Sequence, residues 1–425
     1  MTATDETRWI PAVPGRHAEG GPVATDDTTI IPAVDPGLDS PEPPDDDGHE
    51  DLEEEFRPTR GGWLGRGVVW VFLAWMVLAL PVNRLSPFEV GVADIDVISL
   101  AVIYAIGGLS LNVLLGYAGQ ISLGHQAFVG LGAFTSAYIV TNLQLSFWLA
   151  VAVAAGFGAI QATLLGAISL RLSGLYFALV TLAYGTFAEE TLFGIAALTG
   201  GEGGKPAPRP VGFESGYAYY YLCLGFLALV LWLDWRLTRS RGGRALAALR
   251  ENPRVASSYG INVKAYILLA FALSGIFAGI AGSLMAHHDE VIVGSSFDFR
   301  LALLFILMTV VGGLRDRVGV VIGSAFFALL EEKLLIEMIE RLCHFLLEPF
   351  GLADWSIGEV LQGTVGLPLE FVGLIVGPLL LLLTITKYPG GIGQQVAPIR
   401  LWLTGHRFDR HAGAVTEVEV NDVRA

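Results

Sequence analysis

The sequence predicts an all-α polytopic membrane protein, with about ten transmembrane helices and a basic cytoplasmic loop in its middle. Three observations carry this. The 425 residues are 53% hydrophobic and only 16% charged, with mean hydropathy +0.57; a soluble domain carries nearer a quarter charged residues. Apolar runs of the length that crosses a bilayer, about 20 residues, recur along the chain. Between two of them lies WRLTRSRGGRALAALRENPRVASSYGINVK, residues 235–264, with seven Arg or Lys. A basic loop between membrane spans stays on the cytoplasmic side.

The net charge of −15 belongs mostly to the first segment. Residues 1–66 hold 16 Asp or Glu against 5 Arg, and the remaining 359 residues hold 25 acids against 21 bases. Residues 1–66 are therefore expected to be an acidic, disordered cytoplasmic tail, too poor in apolar surface to fold alone. Ile10-Pro11-Ala12-Val13 recurs there as Ile31-Pro32-Ala33-Val34, which reads either as paired docking motifs or as a plain leader. Arg57, Arg60 and Arg66 mark that side as cytoplasmic. The first apolar run starts only near Val68, so no cleavable signal peptide is expected.

Residues 67–395 read as the transmembrane domain. Its spans are expected at 67–83, 96–115, 121–141, 147–169, 174–198, 217–235, 265–286, 299–314, 318–338 and 366–386. Ten spans place both termini in the cytoplasm, including a C-terminal tail at 396–425. The inner connections then carry Arg171, the 236–264 loop, Arg315 and Arg317. The outer ones carry Glu89, Asp94, Asp96, Asp289, Glu290, Asp354 and Glu359. This charge bias matches the positive-inside rule. Membrane lipid is an expected contact of the basic loop; nucleic acid is not an expected partner. Cys223 and Cys343 lie in or beside apolar runs and read as buried thiols.

Glycine is dense at Gly116, Gly119, Gly124, Gly130 and Gly132, and again at Gly275, Gly279 and Gly282. In lipid, glycine permits close helix approach or a broken segment lining a cavity. Gly275 and Gly279 share one helix face. Asn112, Gln120, Ser122, His125 and Gln126 form the densest polar cluster near a span end. They are the candidate lining of a translocation path, with interhelical hydrogen bonding as the alternative. Glu189 and Glu190 sit inside an apolar run, where ionisable residues mark either an ion path or an interfacial position.

No catalytic constellation stands out. His287, His288, Asp289 and Glu290 are adjacent, and adjacent helical side chains diverge, so a solvated loop is expected there rather than a metal site. Gly200-Gly201-Glu202-Gly203-Gly204-Lys205 lacks phosphate-loop spacing, and Pro206 replaces the hydroxyl residue that would hold magnesium. No cofactor site is expected, and the chain does not read as an enzyme. Any ATP would act in another subunit.

The basic loop has internal design. Residues 244–251, RALAALRE, favour helix. Pro253 interrupts it. Residues 254–259 can form a second turn, and Gly260 is a natural stop. A short amphipathic helix of this kind suits a groove in a partner protein.

Three blocks resemble one family: NVLLGYAGQISLGHQAFVGLGAFTSAY at 112–138, GRALAALRENPRVASSYGINVKAYILLAFALSGIFAGIAG at 243–282, and the glycine-spaced stretch 310–335. YPGGI at 388–392 adds to them. Over roughly 90–395 the chain resembles the LivM-type permease subunits of ABC importers for branched-chain amino acids. The resemblance implies a second permease subunit, two cytoplasmic ATPase subunits and an external substrate-binding protein, with ATP used by the partners. It implies that Arg244, Arg250, Glu251, Asn252, Ala256, Gly260 and Ile261 form the segment that couples to an ATPase. It implies an inner (plasma) membrane location and inward transport by alternating access. Arg315 and Val320 depart from the pattern, where glycine and proline are usual. The alternative from the residues alone is an ion-coupled secondary transporter of small polar solutes working through Glu189 or Glu190.

Overall fold

The computed structural model describes residues 92–172, 174–332 and 390–404, together with Val77, Leu379, Leu382, Leu383 and Thr386. The N-terminal tail, the first and tenth expected spans, residues 333–338 of the ninth, residues 405–425 of the C-terminal tail and Cys343 lie outside them, apart from those single residues. The described elements are helical apart from one two-residue strand pair. Helix α1 (Val92–Leu111) passes directly into a π-helical segment, Asn112–Tyr117. Next come α2 (His125–Thr141), α3 (Phe147–Ser169) and α4 (Leu175–Phe187), whose end is also π-helical at Ala188–Leu192. A short α5 (Ala196–Thr199) and strand β1 (Lys205–Pro206) precede α6 (Gly216–Arg239). The loop helices are α7 (Arg241–Glu251) and α8 (Pro253–Ser258). Then follow α9 (Val263–Asp289), β2 (Val291–Ile292), α10 (Phe299–Gly312), α11 (Arg317–Glu331) and α12 (Gly391–Thr404).

Among the described residues, four helical stretches are long and apolar enough to cross a membrane: Asp94–Tyr117, Phe147–Ile168, Gly216–Arg239 and Val263–Asp289. Two expected spans are shorter than anticipated. The one expected at 121–141 starts as helix only at His125, because 118–124 form a turn. The one expected at 174–198 loses its α-helical register after Phe187 and breaks near Gly194. The basic connection is trimmed to 240–262, because α6 and α9 extend into it. Helix α12 runs across residue 396.

Helix α9 sits at the centre, packed against α3, α2 and α1. Its glycines make this contact. A Cβ on Gly275 would lie 2.1 Å from the Gly158 carbonyl oxygen of α3, and one on Gly282 would lie 1.9 Å from that of Val129 in α2. Lipid tails are as apolar as leucine, so helix association in a membrane relies on such close packing rather than on burial from water. Phe271 of α9 meets Phe177 of α4 edge-on at 5.6 Å. Helices α6 and α11 pack on α1, and α10 and α12 on α11.

The connections segregate to two ends. At one end Lys205 pairs with Ile292 across the strand ladder, and Arg209 reaches Asp96 at 3.2 Å and Glu290 at 3.3 Å. His287 and His288 are here, and the expectation of a solvated loop is overturned. Helix α9 continues through both residues. The His287 ring is buried between Ser136 Oγ at 3.1 Å and the Pro208 carbonyl at 2.7 Å. Among the described residues no group of three His, Cys, Asp or Glu is placed to hold a metal. At the other end lie the 118–124 turn, helices α7 and α8, and the 313–316 turn.

Candidate functional site

Two linked features sit at that second end. The first is the projecting pair α7–α8. Ser240 caps α7 by accepting the Gly243 N–H at 3.2 Å, and Ala245, Leu246 and Leu249 turn inward. Asn252 closes α7 and opens α8, its Oδ1 accepting the Arg254 and Val255 N–H groups at 3.0 and 3.2 Å. Pro253 follows at the first helical position, where its missing donor costs nothing. Gly260 takes φ +79°, and the Ile261 N–H returns to the Ala256 carbonyl at 3.2 Å. This left-handed stop tolerates glycine far better than residues with a Cβ.

The sequence-named coupling residues therefore separate by position. Ala256 is buried, Ile261 is half-buried, and Gly260 shapes the chain. Arg244 and Glu251 are exposed. Arg250 points inward, donating from Nη1 to the Gly116 carbonyl of the π-helical segment. Burial, and then the neighbouring Arg315 charge, press its pKa below the ordinary guanidinium value. The outermost apolar groups are Val255, 51% exposed, and Tyr259, 82% exposed. Sequence reading passed over both, although an aromatic just before a helix-stopping glycine in a basic loop was a usable signal.

The second feature is the polar turn at 118–126. Asn112, Ser122, His125 and Gln126 are all buried, and Gln120 is half-buried. His125 Nε2 meets Ser110 Oγ at 2.9 Å, and Ser110 donates to the Ser274 carbonyl at 2.7 Å. Asn112 is turned away from this group, its Oδ1 accepting the Arg315 N–H at 3.0 Å. Ser122, His125 and Gln126 thus lie buried within one turn, His125 toward Ser110 of α1 and Gln126 beside Gly185 of α4, and Asn112 has a fastening role. Asp234, missed in the sequence, is fully buried and ties the same end together. It accepts from Tyr117 Oη at 3.1 Å and pairs with Arg317 Nε at 3.2 Å. Glu189 and Glu190 lie away from this cluster on the π-helical end of α4, half-buried and exposed.

An apolar groove of about 600 Å³ runs between α2, α3 and α4, with Phe134, Tyr138, Phe157, Leu164 and Tyr184 on its walls. Its central polar groups satisfy each other, Tyr184 Oη donating to Gln161 Oε1 at 2.9 Å.

These features define an all-α, polytopic membrane protein with a broken helix at its core and a projecting pair of loop helices at one end. The chain belongs to the family described as "Branched-chain amino acid transport system / permease component", which matches residues 95–382. It is 31% identical over 274 residues to the high-affinity branched-chain amino acid transport system permease protein LivM of Escherichia coli, covering 58% of this chain and 64% of that one. The LivM protein of Salmonella typhimurium matches to the same extent. The nucleoside ABC transporter permease protein NupC of Lactococcus lactis is 26% identical over 274 residues, covering 58% and 82%. The chain thus spans just under two thirds of the length of the LivM proteins it matches. No solved structure matches it.

Proposed function

We propose that this chain is the membrane permease subunit of an ABC importer in the inner (plasma) membrane. It moves branched-chain or related amino acids inward by alternating access. Its partners are a second permease subunit, two cytoplasmic ATPases and an external binding protein, and ATP acts at the ATPases. The observation that carries the reading is the projecting α7–α8 pair, fastened through Arg250 to the π-helical segment beside the polar turn, in a chain of this family. Val255 and Tyr259 are the groups best placed to enter an ATPase groove. The basic bias of 236–264 supports a cytoplasmic location for this end and for both termini.

The test is uptake of labelled L-leucine in a strain lacking this gene, with a nucleoside as the control solute. Loss of ATP-dependent leucine uptake, restored by the intact gene, is the expected result. Unchanged leucine uptake with loss of nucleoside uptake would sink the amino-acid assignment. Gradient-driven uptake by the purified chain alone, without ATP, would replace the importer reading with the secondary-transporter one.

A further inference from the structure

We propose that the N-terminus of α2, with Ser122, His125 and Gln126, is a subsite for the zwitterionic head group of the transported α-amino acid. This deepens the amino-acid reading above and rests on it.

The first observation is a helix that begins inside the membrane. Ser110, the partner of His125, lies two turns inside the end of the Asp94–Tyr117 span, about 10 Å at 1.5 Å per residue. The chain leaves α1's π-helical end at Tyr117, turns through Gly119 at φ +68°, and starts α2 at His125. No side chain caps the first turn of this 17-residue helix. A helix start carries unpaired N–H groups and partial positive charge, and broken membrane helices direct such ends at anionic substrate groups.

The second observation is independent of the helix end. Both Nε2 and Oε1 of Gln126, Oγ of Ser122 and Nδ1 of His125 have no hydrogen-bond partner among the described residues. The three residues are 0%, 1% and 0% exposed. Buried polar groups are normally paired, so several unpaired ones at one turn mark a place where a polar guest belongs.

The chemistry matches a zwitterion. Ser110 gives its only proton to the Ser274 carbonyl, so its oxygen accepts from His125 Nε2–H. That assigns the neutral tautomer in which Nδ1 is an acceptor. His125 Nδ1 and Gln126 Oε1 are then both unpartnered acceptors, the chemistry that an ammonium group requires. The Ser122 hydroxyl, the Gln126 amide and the α2 N–H groups donate to a carboxylate. No carboxylate side chain is among the described hydrogen-bond partners of these residues.

Helix α4 covers the subsite. A Cβ on Gly124 would lie 1.9 Å from the Thr181 carbonyl oxygen, and one on Gly185 would lie 2.6 Å from Gln126 Nε2. The Leu123 N–H donates to Thr181 Oγ1 at 2.9 Å. The far face of α4 is open, with Leu175 73% and Tyr176 71% exposed. Displacement of α4 uncovers the group.

The experiment uses the intact complex in proteoliposomes with its ATPases and binding protein. Gln126→Leu and Ser122→Ala are expected to cut L-leucine uptake at least tenfold at unchanged complex yield. In a second measurement, Ser122→Cys is introduced into a chain with Cys223 and Cys343 replaced, and a small thiol reagent labels it during turnover. L-Leucine is expected to slow labelling, whereas isoamylamine, the same alkyl amine without the carboxylate, is not. Wild-type uptake by both variants, or equal protection by isoamylamine, overturns the subsite alone. A wild-type complex that carries a nucleoside and no leucine overturns the amino-acid reading and the subsite with it.

Discussion

Arg315 holds φ at +70° in the turn before α11, a left-handed conformation that disfavours any residue with a Cβ. The turn is pinned by Asn112, which accepts the Arg315 backbone N–H, and the Arg315 side chain itself is exposed. Glycine at this position keeps the pinning bond and relieves a cost of about 1 kcal/mol. Arg315→Gly should therefore raise the melting temperature of the detergent-solubilised protein by a few degrees; a lower value would show that the arginine side chain outweighs the backbone strain. This position was legible in the sequence, because the resemblance marked it as one where glycine is usual. Asp234 was not. Its partners Tyr117 and Arg317 are 117 and 83 residues away, and a lone aspartate at the end of an apolar run looks like an interfacial charge. Only packing α6 against α1 and α11 brings the three groups together. A buried carboxylate of this kind needs its cation, since desolvation of an unpaired charge costs several kcal/mol.

The loop helices were the most readable elements. Residues 244–251 favour helix, Pro253 breaks it and Gly260 ends the next turn, all from local backbone chemistry. The structure adds one residue-level surprise, the inward direction of Arg250. Arg250→Ala removes the bond from α7 to the π-helical segment while leaving the exposed face of α8 intact. In the assembled transporter, uptake should fall about tenfold with ATP hydrolysis retained; parallel loss of both activities would assign Arg250 to assembly instead. The π-helical segments at Asn112–Tyr117 and Ala188–Leu192 were invisible in the sequence. An extra residue in a helical turn leaves the apolar pattern almost unchanged, and such bulges depend on side chains from elsewhere. The polar turn was half legible. Its residues stood out as a cluster, but composition alone could not separate Asn112, which pins a turn, from Gln126, which has no partner among the described residues.

At the scale of the whole molecule, contacts sort the connections into two ends, and the proposed orientation puts the cytoplasm at the end with the basic loop. Val211, 92% exposed, lies at the end of the strand pair, and Tyr259, 82% exposed, at the tip of the loop helices. With cysteine at one position at a time, a membrane-impermeant maleimide should label Val211→Cys in intact cells. It should reach Tyr259→Cys only after permeabilisation; the reverse pattern would invert the orientation. The sorting itself was expected from the alternation of spans. The centrality of α9 was not, beyond the hint that Gly275 and Gly279 share a face.

The sequence by itself determined the class of environment, the all-α architecture, the local shape of the loop helices and the family. Each of these depends on composition, period or neighbouring residues. The tertiary structure alone decided which polar groups meet: Arg250 with Gly116, Asp234 with Tyr117 and Arg317, His125 with Ser110, and Gln126 with no partner among the described residues. The physical reason is that hydrophobic periodicity is a property of one helix. Hydrogen bonds inside a membrane protein belong to pairs of helices, and the glycines on α9 set how closely those helices approach.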